Sequence, residues 1–212
     1  MQKLNRRKFI AAVSCGFALP WALKLRAGSL PERCDVASPK GQEMLLKFAT
    51  AVERMQDIAI SQSSSWRYQW YIHAIPPHMN NSPITKETEL DRAFGLSNSP
   101  QRDLASDVWQ TCQAHHPGTD PRMFLGWHRL YLLAFEDILR GVLGDDQFAL
   151  PYWDYTKDAR IPEAFRSPTG HTASLYRANR TRTDTLDINA GDPMDKGTTV
   201  SPLNLTAMKH DD

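Results

Sequence analysis

The chain has 212 residues, with 25 basic against 24 acidic side chains and a formal net charge of +1. That length suffices for one ordinary domain with a real core. The balanced charge, with no basic patch or charged block, gives no support to a nucleic-acid or polyanion partner.

The N-terminus reads as an export signal. Arg6 and Arg7 precede Lys8, Phe9 and Ile10, which fits a twin-arginine pattern. A weakly polar run follows from Phe9 to Leu23, and then Lys24, Arg26, Ala27 and Gly28 offer a peptidase small residues at which to cut. Residues 1–28 are therefore expected to direct the protein to the periplasm or outside the cell. An ordinary N-terminal helix is the alternative. The run is too short for a membrane span, which needs about 20 apolar residues. Beyond it lie Cys34 and Cys112, which in an oxidising compartment could form one disulfide.

A linker from Ser29 to Ala37 leads to Ser38 and Pro39, a helix cap and first helical residue. Met44, Phe48, Val52 and Met55 recur at helical spacing, which predicts a helix over 39–59. Ser63 to Ser65 can cap a second helix running through Ile75, stopped by Pro76 and Pro77. Residues 76–98 read as loop with one short turn. Ser99 and Pro100 open a third helix expected to reach His116 and stop at Pro117 and Gly118. A fourth covers 127–143 and ends near Gly144, followed by an extended or irregular segment from Leu150 to Tyr155. Residues 158–212 are polar, without a helix longer than two turns, and read as surface loop or as a segment lacking its partner. The expected fold is mainly α, a four-helix-bundle core with long loops.

Three histidines fall on apolar faces of these predicted helices. His73 shares a face with Trp66, Gln69 and Trp70. His115 lies on a stripe with Leu104, Val108, Thr111 and Cys112, while the adjacent His116 is rotated about 100° away. His128 shares a stripe with Leu132, Phe135 and Leu139. One such histidine is ordinarily just buried and hydrogen-bonded. Three, from three helices, point to a metal held between them. Imidazole suits Cu, Zn, Fe and Ni, and a three-histidine set leaves an open position for chemistry. Cys112 could approach the same site, although a small buried apolar residue is the simpler reading. Asp154 reads either as an acceptor for a ligand N–H or as a turn aspartate. Glu136 and Arg129 on the fourth helix suit a salt bridge as well as a catalytic part. His78, His171 and His210 read as surface residues.

At these residues the chain resembles the tyrosinase family of copper oxidases, in particular its first copper-binding half. FLGWHRLYLLAFE is similar to the family signature around the third ligand of the first copper, and LPYWDY to the segment that follows it. WYIHAI and TCQAH are similar to the first and second ligand segments of the bacterial branch. The resemblance covers residues 38–160 and leaves 161–212 as a loop-rich tail of an incomplete domain. It implies that His73, His115 and His128 hold one copper, with phenolic small molecules and dioxygen as substrates and quinones as products. Gly126 departs from the family's usual Pro, and the separation of His115 from Phe124 is longer than in many members. Some eukaryotic relatives carry a cysteine–histidine thioether near the second ligand, an offset that Cys112 does not clearly match.

The family uses two coppers, each held by three histidines, and the second set normally includes a His-x-x-x-His pair. After His128 this chain has only His171 and His210. The sequence therefore predicts a first copper site without the second. The alternative to an oxidase is a truncated or degenerate half-domain that binds one copper without turnover. A half-bundle would also expose an apolar face and self-associate.

Overall fold

Helix starts in this chain are written largely in serine, threonine and proline. The computed structural model describes residues 31–75, 84–113, 121–180 and 186–194. Five α-helices lie among them: α1 (Pro39–Gln56), α2 (Trp66–His73), α3 (Lys86–Phe94), α4 (Pro100–Val108) and α5 (Phe124–Leu143). There is no strand among the described residues, so the mainly helical fold expected from the sequence is observed. The proposed export signal lies outside the described residues.

Ser38 caps α1, its hydroxyl accepting from the Gly41 amide at 3.0 Å. Gly41 is required there, because a Cβ would sit 1.8 Å from the Asp35 carbonyl oxygen. Ser99 caps α4 through the Arg102 amide at 3.1 Å, with Pro100 in the first turn. Gly144 closes α5 in the left-handed conformation, at φ 68°. Ser65 stands at the N-cap of α2, but its side chain makes no capping hydrogen bond.

Two expectations need correction. Residues 76–98 are not simply loop, because α3 occupies Lys86–Phe94. Thr85 caps it through the Thr88 amide, Glu87 and Glu89 sit in its first turn, and Gly95 follows its end. The third predicted helix does not continue to His116. It ends at Val108, and Gln110 adopts φ 60°.

The described chain divides into two units. One comprises Glu53–Gln147, and the other Pro31–Val52 with the residues from Phe148 onward. In the first unit the core gathers Tyr68, Tyr71 and Ile72 of α2, Leu90 of α3, Ala105 and Val108 of α4, and Trp127 of α5, together with Trp109 and Cys112. Trp109 meets Tyr68 and Tyr71 edge-on, with ring centroids 5.5 and 5.1 Å apart. Along α5, Trp127, Tyr131 and Phe135 stack at four-residue spacing, with interplanar angles of 14° and 6°. The buried stripe of α5 thus includes Trp127, Phe135 and Leu139, and His128 lies at its margin while Leu132 is exposed. In the second unit an isolated parallel bridge pairs Asp35 with Tyr152. Short 3-10 turns at Glu163–Phe165 and Ala173–Leu175 follow. Ser174 anchors the latter to the Ala49 carbonyl at 2.7 Å, and Leu175, Leu186 and Ile188 are buried.

The two cysteines do not pair. Neither Cys34 nor Cys112 is in a disulfide among the described residues. Cys34 Sγ donates to the Glu32 carbonyl at 3.7 Å.

One polar cluster holds α2 to α3. Glu89 is 2% exposed and accepts from the Tyr71 hydroxyl at 2.6 Å and from Arg92 at 2.6 Å, with Arg67 at 3.6 Å. Burial, then the bond to Glu89, raises the Tyr71 pKa, so the phenol stays protonated and donates. Glu89→Ala leaves the Tyr71 hydroxyl proton without its acceptor, although Arg67 Nε still donates to the oxygen at 2.8 Å. Because both arginines are half exposed and recover water, the expected loss is about 2–3 kcal/mol, the lower end for a broken buried network. Urea unfolding followed by tryptophan fluorescence should show it, with Glu89→Gln losing less.

Candidate metal centre

His73 is the last residue of α2. A helix end leaves carbonyls without intrahelical partners, and here another segment supplies them. The Gln110 amide donates to the Tyr71 carbonyl at 2.8 Å, and the Thr111 amide to that of Ile72 at 3.3 Å. Gln110 also donates through Nε2 to the Ile75 carbonyl at 3.2 Å. To reach these acceptors the chain leaves α4 after Val108 and turns through the left-handed residue Gln110. The turn delivers Cys112, 3% exposed, beside His73.

His128 comes from the second turn of α5. Its Nδ1 lies 2.7 Å from the carbonyl oxygen of Phe124. A carbonyl only accepts, so Nδ1 carries the proton and a neutral ring presents its lone pair at Nε2. That Nε2 is 3.5 Å from Cys112 Sγ, and His73 Nε2 is 3.8 Å from the same sulfur. The three atoms all lie within 4.8 Å of one another, the arrangement that a single metal ion could occupy. His73 presents an exposed edge, Cys112 is buried and His128 is intermediate.

Aromatic rings fix the imidazoles. Trp127 meets His73 and His128 nearly edge-on, at centroid distances of 5.7 and 4.8 Å. Phe124 lies 4.2 Å from His128 and Tyr131 5.8 Å from His73. Desolvation, with the neighbouring His128 second, lowers the His73 pKa and favours the neutral ring that a ligand must be. Burial pushes the Tyr131 hydroxyl up to about 12, with Cys112 contributing in second place. It remains a phenol and donates to the Gln69 carbonyl at 3.3 Å. Beside His73 a hollow of about 180 Å³ is lined by Trp66, Gln69, Trp70, His73, Tyr131 and Phe135.

The other sequence candidates fare unevenly. His115, with His116, His78 and His210, lies outside the described residues. Asp154 uses its oxygens within its own turn, accepting from the Thr156 amide and hydroxyl at 3.1 and 2.6 Å and pairing with Lys157 at 3.1 Å. Those bonds hold its carboxyl below the ordinary range, and the turn reading fits them. Glu136 pairs with Arg140 at 3.3 Å rather than with Arg129. His171 is exposed. Cys112 meets both descriptions that the sequence left open, since it belongs to the apolar core and also faces two imidazoles. Its three-residue spacing from His115 was the only sequence hint, and the helical stripe used to place it does not exist beyond Val108.

The donor set is chemically coherent. Two neutral imidazoles and a sulfur are borderline-to-soft ligands, suited to copper or zinc rather than to calcium or magnesium. These residues therefore define a helical protein with, among the described residues, one histidine–cysteine–histidine cluster able to take a transition metal. The family model for the common central domain of tyrosinase matches residues 63–210, and the chain belongs to the tyrosinase family. A tyrosinase from Hahella sp. (strain CCB-MM4) is 32% identical over 153 residues, covering 63% of this chain and 30% of that protein. Tyrosinases of Felis catus and Bos taurus are 40% and 42% identical over 57 and 52 residues, about a quarter of this chain. The chain thus spans less than a third of the length of these relatives. No solved structure matches it at a significant level.

The turn at Gln110 can be tested directly. Valine, stiff at Cβ, fits the left-handed region poorly. Gln110→Val should destabilise the protein by about 1–2 kcal/mol from backbone strain, read as a lower thermal midpoint. Gln110→Gly should be better tolerated than Gln110→Val.

Proposed function

We propose that this chain carries one copper centre of a tyrosinase-type phenol oxidase. The convergence of His73 Nε2 and His128 Nε2 in a tyrosinase-family chain is the observation that carries this reading. His115 is the third donor by family resemblance. When bound, copper supplies the electron exchange with dioxygen that oxidises phenols and diphenols to quinones. The protein's part is positional. Phe124 sets the tautomer of His128, Trp127 holds both rings, and α2 and α5 supply rigid mounts. The aromatic hollow beside His73, walled by Trp66, Trp70 and Phe135, suits a planar phenolic ring.

A second reading is a chain that binds a single metal without turnover. It is favoured by the presence of just one histidine, cysteine or carboxylate cluster able to hold a metal among the described residues. We further propose export through residues 1–28, on the strength of Arg6 and Arg7. No helix among the described residues is long and apolar enough to cross a membrane. Self-association is a further proposal; Trp70, Leu125 and Leu133 are exposed apolar side chains, at 51%, 71% and 49%.

Calorimetric titration of the full chain with copper should give one equivalent, and His128→Ala should weaken it at least tenfold, as losing a direct ligand costs no less than losing its support. No binding by the parent chain would refute the metal centre. Oxygen uptake with a diphenol separates the two readings. Little or no turnover is expected from residues 1–212 alone, and robust turnover would dismiss the inert half-domain.

A further inference from the structure

We infer that Cys112 Sγ is itself a metal donor, adding a thiolate to the imidazoles of His73 and His128. This rests on the metal-centre reading above and extends it, because the family resemblance points to histidines alone. The argument begins with distances. Typical metal–nitrogen and metal–sulfur bonds of about 2.0–2.1 and 2.3 Å, at tetrahedral angles, place N and S about 3.6 Å apart. Cys112 Sγ lies 3.5 Å from His128 Nε2 and 3.8 Å from His73 Nε2. Both separations match a shared ion.

Direction and access agree. The Phe124 carbonyl holds the proton of His128 on Nδ1, so Nε2 turns a lone pair toward the sulfur. A single thiol proton serves one ring at a time, whereas a cation serves both rings and the sulfur together. Cys112 is 3% exposed, so its sulfur faces the two imidazoles and the core rather than open water. His73 keeps an exposed edge through which an ion can enter. On binding, the S–H bond breaks, its proton passes to solvent, and sulfur donates its electron pair to the metal with no change in oxidation state. A thiolate with two imidazoles favours soft and borderline ions, Cu(I) and Zn(II) above all.

The test uses the full chain under reducing, oxygen-free conditions, with Co(II) as an optical probe and Zn(II) for X-ray absorption. A thiolate-to-cobalt charge-transfer band is expected, together with a sulfur neighbour at about 2.3 Å from zinc. Both should persist in the Cys15→Ser/Cys34→Ser double variant, which removes the other two cysteines of the chain. Both should vanish in Cys112→Ser, with Co(II) binding at least tenfold weaker. Metal bound without the band and without the sulfur neighbour would overturn the thiolate assignment and leave the metal centre standing. A band that survives in Cys112→Ser would also overturn it. Failure to bind Co(II), Zn(II) and Cu(I) would sink both readings. Should Cys112→Ser fail to fold, the spectra of the parent chain and the double variant decide the matter.

Discussion

Two backbone hydrogen bonds, from Gln110 and Thr111 to the Tyr71 and Ile72 carbonyls, hold the candidate centre together. Each contributes only about 1 kcal/mol net, but an orphaned buried carbonyl costs about 1–3 kcal/mol. The end of α2 therefore demands a partner, and the segment after α4 is the partner it has. Everything near His73 follows from that demand. Trp109 is drawn edge-on against Tyr68 and Tyr71, Gln110 is forced to positive φ, and Cys112 arrives within reach of two imidazoles.

The same demand explains what the sequence hid. A stripe of Leu104, Val108, Thr111 and Cys112 looks helical on paper, and nothing local ends it before Pro117. The helix stops at Val108 because a distant helix recruits the next amides, and periodicity carries no record of such recruitment. The starts of α1 and α4 and the end of α5 were legible, since Ser38, Ser99, Pro100 and Gly144 act locally. α3 also carries local boundary signals. Its KETELDRAF core is polar, and only Leu90 is apolar and fully buried, yet Thr85 before it, acids in its first turn and Gly95 after it are standard boundary signals. Of the stripe expected with His128, Phe135 and Leu139 are buried, whereas Leu132 is exposed and His128 itself is half-buried. The packed stripe runs one residue over, through Trp127, which leaves the imidazole at the edge of the apolar face with its Nε2 available.

That marginal position suits a ligand. A histidine fully inside an apolar stripe would be sealed from any ion, and one fully outside it would lack fixed orientation. His128 is held by Trp127 and Phe124 on its flanks and by a carbonyl at Nδ1. His73 is held by Trp127 and Tyr131. Trp127 touches both rings and stacks on Tyr131, so a single indole couples the two imidazoles to the core. The geometry gathers His73, His128 and Cys112 at one point.

The carbonyl that steers His128 belongs to the first residue of α5. Ring orientation and the winding of that rod's opening turn are thus one equilibrium seen from two ends. When the turn frays, the imidazole loses its tether and swings. When an ion grips the far nitrogen, the turn is stapled shut. Slower amide exchange at the start of α5 would accordingly register occupancy of the centre, without any reference to turnover or colour.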